Sequence, residues 1–138
     1  IYNSYTLTTA HHKDFRPVVV HEFGHSFAGL GDEYFYDNAD DNDNMHSLKH
    51  EPWEPNITTL VDFESKWADM LPKDIEVPTT VTPERTANYT VGLYEGGGYL
   101  SKGIYRPTDV CRMRNNTAER FCPVCERALE RVILHQAE

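Results

Sequence analysis

The sequence has no long apolar run. The longest are a few residues, as at Val18-Val19-Val20, so no segment can cross a bilayer as a helix. Leu, Ile, Val and Phe are scarce, 30 of 138 residues or about 22%, just above the level of roughly 20% associated with disorder. Positive charge is also short. With 13 Lys and Arg against 22 Asp and Glu, the formal net charge is −9, which argues against a surface built for nucleic acid. The deficit is uneven, since residues 1–100 hold 17 acids and 6 bases while residues 101–138 hold 5 and 7. Cysteine is limited to three, an odd count that leaves at least one thiol unpaired within the chain. An initiator Met, a signal peptide and a lipidation motif are lacking, and Ile1-Tyr2-Asn3-Ser4-Tyr5 reads like the middle of a domain, so a fragment or processed piece is expected. The length suits one domain.

What is present divides into a few readable elements. Residues 1–10, rich in Thr, Tyr and Leu, are expected to form a strand. From Pro17 the run to Leu30 places Val19, Val20, Phe23, Phe27 and Leu30 at helical spacing, and Gly29 and Gly31 stop it. Residues 32–56 are polar enough to read as a long loop. A short helix or turn is expected around Asp62–Leu71, an extended Pro-rich segment over 72–83, and irregular strand and loop over 86–106. Pro123 sits in the first turn of a final amphipathic helix whose stripe is Ala128, Leu129, Val132 and Ile133.

The chemistry concentrates in His21-Glu22-Phe23-Gly24-His25, a His-Glu-x-x-His pattern on the first helix. The two imidazoles lie one turn apart, about 40° around the axis, with Phe23 and Phe27 on the opposite side. Such a pair can share Zn²⁺, and Glu22 can reach a water held on its open side, the arrangement of a hydrolase. Shuffled versions of this composition would show the five-residue pattern roughly 3% of the time, but with Gly29 and Asp32 also required the rate falls to the order of one in ten thousand. A catalytic zinc takes three protein ligands, and Asp32 is the natural third because Gly29 and Gly31 let the chain turn back.

The stretch His21 to Tyr34, together with Glu51-Pro52-Trp53-Glu54-Pro55-Asn56-Ile57-Thr58, Gly92-Leu93-Tyr94-Glu95-Gly96, Cys111-Arg112-Met113-Arg114 and Phe121-Cys122-Pro123-Val124-Cys125, resembles the bacterial IgA peptidase family, zinc metalloendopeptidases related to the metzincins. The resemblance covers nearly the whole chain. It implies His21, His25 and Asp32 as zinc ligands, Glu22 as the catalytic carboxylate and Met113 as the residue of a Met-turn beneath the metal. The general metzincin offsets fall here on Ala28 and Gly31, with Gly29 and Asp32 each one later, which excludes the commonest metzincin subfamilies. The implied fold is an α+β zincin, with residues 1–138 as mainly the helix-rich C-terminal half of its catalytic domain, joined to an upstream segment that supplies the sheet.

Other features carry alternatives. Glu33 reads as structural or solvent-facing, with a supporting or ligating role at the metal as the other option. Asp40-x-Asn42-x-Asn44 with Glu51 imitates a calcium loop, but Met45 stands where Gly is needed and Pro52 opposes an exit helix; a looser Ca²⁺ site or a solvated acidic loop remains. Cys122 and Cys125 could be a redox pair, half of a structural zinc site with Cys111 and a His, buried thiols, or, as favoured, one of them the disulfide partner of Cys111. Tyr34, Tyr36, Tyr99 and Tyr105 are candidates to donate to an oxyanion. Gly96-Gly97-Gly98 suits a flexible cleft wall, and Asn56, Asn88 and Asn115 lie in Asn-x-Thr sequons of no consequence in a bacterium. The expected function is a zinc-dependent endopeptidase, extracellular or in a bacterial envelope, acting on a protein such as an immunoglobulin or mucosal glycoprotein. The alternative is a non-catalytic zinc-binding module of the same fold that recognises glycan or immunoglobulin.

Overall fold

Helix α1 (Phe15–Ala28) carries the His-Glu-x-x-His segment. In the computed structural model, which describes residues 8–37 and 48–137, α1 contains Pro17 in its first turn, where the missing N–H would have had no helical partner. It ends at Gly29, which adopts a left-handed φ of 62°. The amides of Gly29 and Leu30 return to the carbonyls of His25 (3.0 Å) and Gly24 (3.2 Å), and this reverses the chain. A side chain at Gly29 would strike the Trp53 ring, its Cβ falling 2.6 Å from the nearest ring carbon.

Two 3-10 turns follow, Phe63–Ser65 and Ala68–Met70, and then the short α2 (Pro83–Ala87), capped by the Thr82 hydroxyl, which accepts from the Arg85 amide at 3.2 Å. Strands β1 (Tyr94–Gly97) and β2 (Leu100–Arg106) pair antiparallel, Tyr94 opposite Arg106 and Gly97 opposite Leu100, with an irregularity between Glu95 and Gly97. Helix α3 (Pro123–Ala137) closes the order and packs against α1. The described residues are thus a mixed α+β arrangement of three α-helices and one small sheet.

The main core gathers Leu30, Trp67, Leu93, Met113, Val124, Ala128 and the three cysteines, and Ile57, Leu100 and Ile104 form a smaller one under the hairpin. Trp67 is fully buried and its indole N–H donates to the Gly92 carbonyl at 2.9 Å; a side chain of that size in such a place contributes about 3–5 kcal/mol. Lys66 is buried beside it, its ammonium donating to the carbonyls of Pro52 and Glu54, which ties the 52–54 loop down. Burial pushes the Lys66 ammonium below its ordinary pKa, with Glu51, 3.7 Å away, acting against that.

Several expectations are corrected. The face of α1 opposite the histidines is not the buried one: Phe23 is 46% and Val20 42% exposed, and Gly24 is the helix's buried residue, because the absent side chain lets α1 close on Met113. On α3 Ala128 is buried and Leu129 and Val132 are half-buried, but Ile133 is exposed, since the stripe runs past the end of the core. Within 86–106 the expected strand and loop are found, the strand part as the irregular β1–β2 hairpin, but the extended segment yields to α2 at Pro83. The glycine run is no flexible wall: Gly96, Gly97 and Gly98 are buried, and a Cβ on Gly96 would lie 2.5 Å from the Phe35 ring. The expected first strand falls mostly on residues 1–7, and the calcium-like loop on residues 38–47, both outside the described residues.

Candidate metal centre

One turn of α1 sets the His21 and His25 rings edge to face, 4.7 Å between centroids. After the reversal at Gly29, Asp32 returns to meet them. Its Oδ1 lies 3.0 Å from His21 Nε2 and 3.2 Å from His25 Nε2, and the two Nε2 atoms are 3.0 Å apart. Both Nδ1 atoms face backbone carbonyls, that of His21 the Arg112 oxygen at 3.0 Å and that of His25 the Leu30 oxygen at 2.6 Å. A carbonyl only accepts, so each Nδ1 carries the hydrogen and each Nε2 presents its lone pair inward.

Three acceptor atoms therefore converge, and Asp32 Oδ1 is buried without a hydrogen-bond donor among the described residues. A tetrahedral ion with bonds of about 2.0–2.1 Å sets its ligands about 3.3 Å apart, close to the three separations here. The residues fit a divalent metal. Burial pushes the Asp32 carboxyl up, but His21, His25 and Tyr99 outweigh it and hold the group well below the usual carboxylate range. At His25 burial lowers the pKa, yet Asp32 and the Leu30 carbonyl prevail and raise it.

The supports come from distant parts of the chain. Asp32 Oδ2 accepts from the Tyr99 hydroxyl, and the Asp32 carbonyl accepts from the Gly98 amide at 2.8 Å, so the hairpin turn grips the residue at both ends. Tyr99 is thus committed to Asp32 and not to an oxyanion. Asn56, fully buried, accepts from the Gly31 amide (2.7 Å) and donates to the Gly31 carbonyl and to Glu33 Oε1 (both 2.9 Å). Met113 is fully buried beneath α1, where a Cβ on Gly24 would come 2.7 Å from its sulfur, and its carbonyl takes the Glu33 amide at 2.9 Å. Glu22 sits beside His21 on an open cleft of about 240 Å³ that Val18, Tyr34, Arg114, Asn115 and Asn116 also line.

The cysteines depart from expectation. Cys111, Cys122 and Cys125 are free thiols; no disulfide joins Cys111 to either partner, and its Sγ is 3.8 Å from that of Cys125, where a bond needs about 2.05 Å. The sulfurs gather instead around Glu33, which is neither solvent-facing nor at the histidine centre. Burial pushes the Glu33 carboxyl up to about 8.

Two imidazoles and a carboxylate, with a further glutamate on the same helix facing an open cleft, are the donor set of the metal-dependent hydrolase class. A family model described as IgA Peptidase M64 matches residues 1–90 and 81–133, so the chain belongs to that family and is a peptidase. A search among curated proteins returned no match.

Proposed function

We propose that this peptidase is a zinc-dependent endopeptidase in which His21, His25 and Asp32 hold the ion and Glu22 is the general base. The observation that supports this most is the convergence of three inward lone-pair atoms whose ring orientations are set by the Arg112 and Leu30 carbonyls. Bound there, Zn²⁺ supplies a lowered water pKa and polarises the scissile carbonyl. The chain's own part follows from position. Glu22, on the cleft side of α1, accepts the proton of the attacking water on its carboxylate and returns it to the leaving amine. Tyr99 keeps Asp32 oriented, and Met113 supports the helix from below as the residue of a Met-turn. Arg114, Asn115 and Asn116 offer donors along the cleft for the carbonyls of an extended peptide.

The fold reading that accompanies this is a zincin-type catalytic domain. The uncovered Val20 and Phe23 on α1, with Phe27 stacked on Phe23 at 4.7 Å, support a further segment of the polypeptide packing there. The substrate we propose is an immunoglobulin or a comparable glycoprotein outside the bacterial cell, in keeping with the family's description. Glu22→Gln tests the mechanism: zinc content stays as in the parent while turnover of a casein or immunoglobulin substrate falls about 10²–10⁴-fold. Proteolysis retained in that variant would sink the assignment.

A further inference from the structure

Behind the histidine centre lies a second convergence that peptide hydrolysis does not use. Glu33, Cys111, Cys122 and Cys125 are all buried, and one ligand atom from each lies within 4.8 Å of the others. Cys125 donates to Glu33 Oε1 at 3.2 Å and sits 3.8 Å from Cys111. The amides of Cys122 and Met113 point at Cys111 Sγ, at 3.2 and 3.5 Å, and donate to that sulfur. Glu33 Oε2 is buried with no hydrogen-bond partner among the described residues.

These spacings have a metal's measure. Zinc–sulfur bonds of about 2.3 Å in a tetrahedron place two sulfurs about 3.8 Å apart, and a sulfur and a carboxylate oxygen about 3.5 Å apart. A disulfide would satisfy two sulfurs and strand the third together with the Glu33 carboxylate. Three soft ligands exclude calcium and magnesium and select a thiophilic ion. Full burial closes the fourth position to substrate, which is the mark of a structural and not a catalytic site.

We propose that Glu33, Cys111, Cys122 and Cys125 bind one thiophilic divalent cation, Zn²⁺ by their chemistry, in a closed site separate from the histidine centre. Binding forms four metal–ligand bonds, releases the thiol and carboxyl protons to solvent and transfers no electrons. The buried guanidinium of Arg106 acts electrostatically on Glu33 and offsets part of the remaining negative charge. The ion staples three segments: the return loop after α1, the turn 111–113 and the start of α3. Its ligands neighbour the first centre, for Glu33 follows Asp32, and Cys111 precedes Arg112, whose carbonyl holds His21. The second site is therefore a positioning device for the first.

Cobalt(II) reads the proposal directly, because the histidine centre contains no sulfur. The full chain, stripped of metal under reducing conditions and titrated with cobalt(II) chloride, should take up two ions and develop a sulfur-to-cobalt charge-transfer band in the near ultraviolet. A His21→Ala/His25→Ala chain should take up one ion and keep the band. Cys122→Ser/Cys125→Ser should lose it. Bound cobalt without that band in the unaltered chain overturns the proposal, whatever the serine variant does and whether or not it folds. The readings stay separable: one ion with the band leaves this site standing and removes the histidine centre, and one ion without it does the reverse.

Discussion

Removing one oxygen from Tyr99 tests the support of Asp32 with the ring left in place. Tyr99→Phe keeps the ring and its packing, edge to face with Tyr34 at 5.3 Å and stacked on Tyr36 at 6.4 Å, and deletes the hydroxyl that donates to Asp32 Oδ2 and also meets Tyr34. Burial and the Asp32 charge both push the Tyr99 hydroxyl above its ordinary pKa, so in the native chain it stays a donor at every working pH. A hydrogen bond to a charged group contributes about 1.5–3 kcal/mol. At about 1.4 kcal/mol per tenfold, that corresponds to a loss of roughly 10–100-fold in metal affinity, the range found when outer-shell partners of metal ligands are removed. Competition against a chromophoric zinc chelator measures it, with Tyr36→Phe as the control that touches the same cluster but not Asp32. Turnover at saturating zinc should stay close to that of the parent. Unchanged affinity with lost turnover would refute the reasoning, because Tyr99 would then be acting on substrate and not through Asp32.

Asn56→Ala leaves the amide and carbonyl of Gly31 buried without their partner, at about 1–3 kcal/mol each, so unfolding in urea should show roughly 2–6 kcal/mol of lost stability; a loss below about 1 kcal/mol would contradict the brace. The forked pair of Arg85 and Glu76, with one arm at 3.1 Å, holds the Glu76 carboxyl down at about 2 against an ordinary 4.5. A depressed folded pKa stabilises above the ordinary value and is lost as pH falls through the folded one, so the clamp persists at pH 4 and opens toward pH 2. Carboxyl carbon shifts from NMR should titrate accordingly, and because the pair is exposed, high salt should move the midpoint up; a midpoint at the ordinary value in low salt would be inconsistent with the pair.

Local pattern made part of this molecule readable. The i, i+4 spacing of His21 and His25, the stop at Gly29 and the Pro123 start of α3 are all consequences of one helix each, and the structure agrees with them. The reversal that brings Asp32 back was legible because two glycines announce it. The supports were not, since Asn56 reaches Gly31 across 25 residues, Tyr99 reaches Asp32 across 67 and Cys125 reaches Glu33 across 92. No periodicity encodes such pairings. The apolar side of α1 misled for a related reason: pattern marks which residues shun water but not which element covers them, and here a glycine provides the buried contact.

Asn56 belongs to an Asn-x-Thr sequon yet is fully buried, with every polar atom of its side chain engaged. A glycosylating secretory pathway modifies the unfolded chain, before that burial can protect the amide. A sugar attached there would occupy the space of the Gly31 turn and keep Asp32 from the histidines. The same polypeptide should thus mature when made in bacteria or in a cell-free extract and fail when exported from yeast or animal cells, which makes the choice of production host a structural variable for this enzyme.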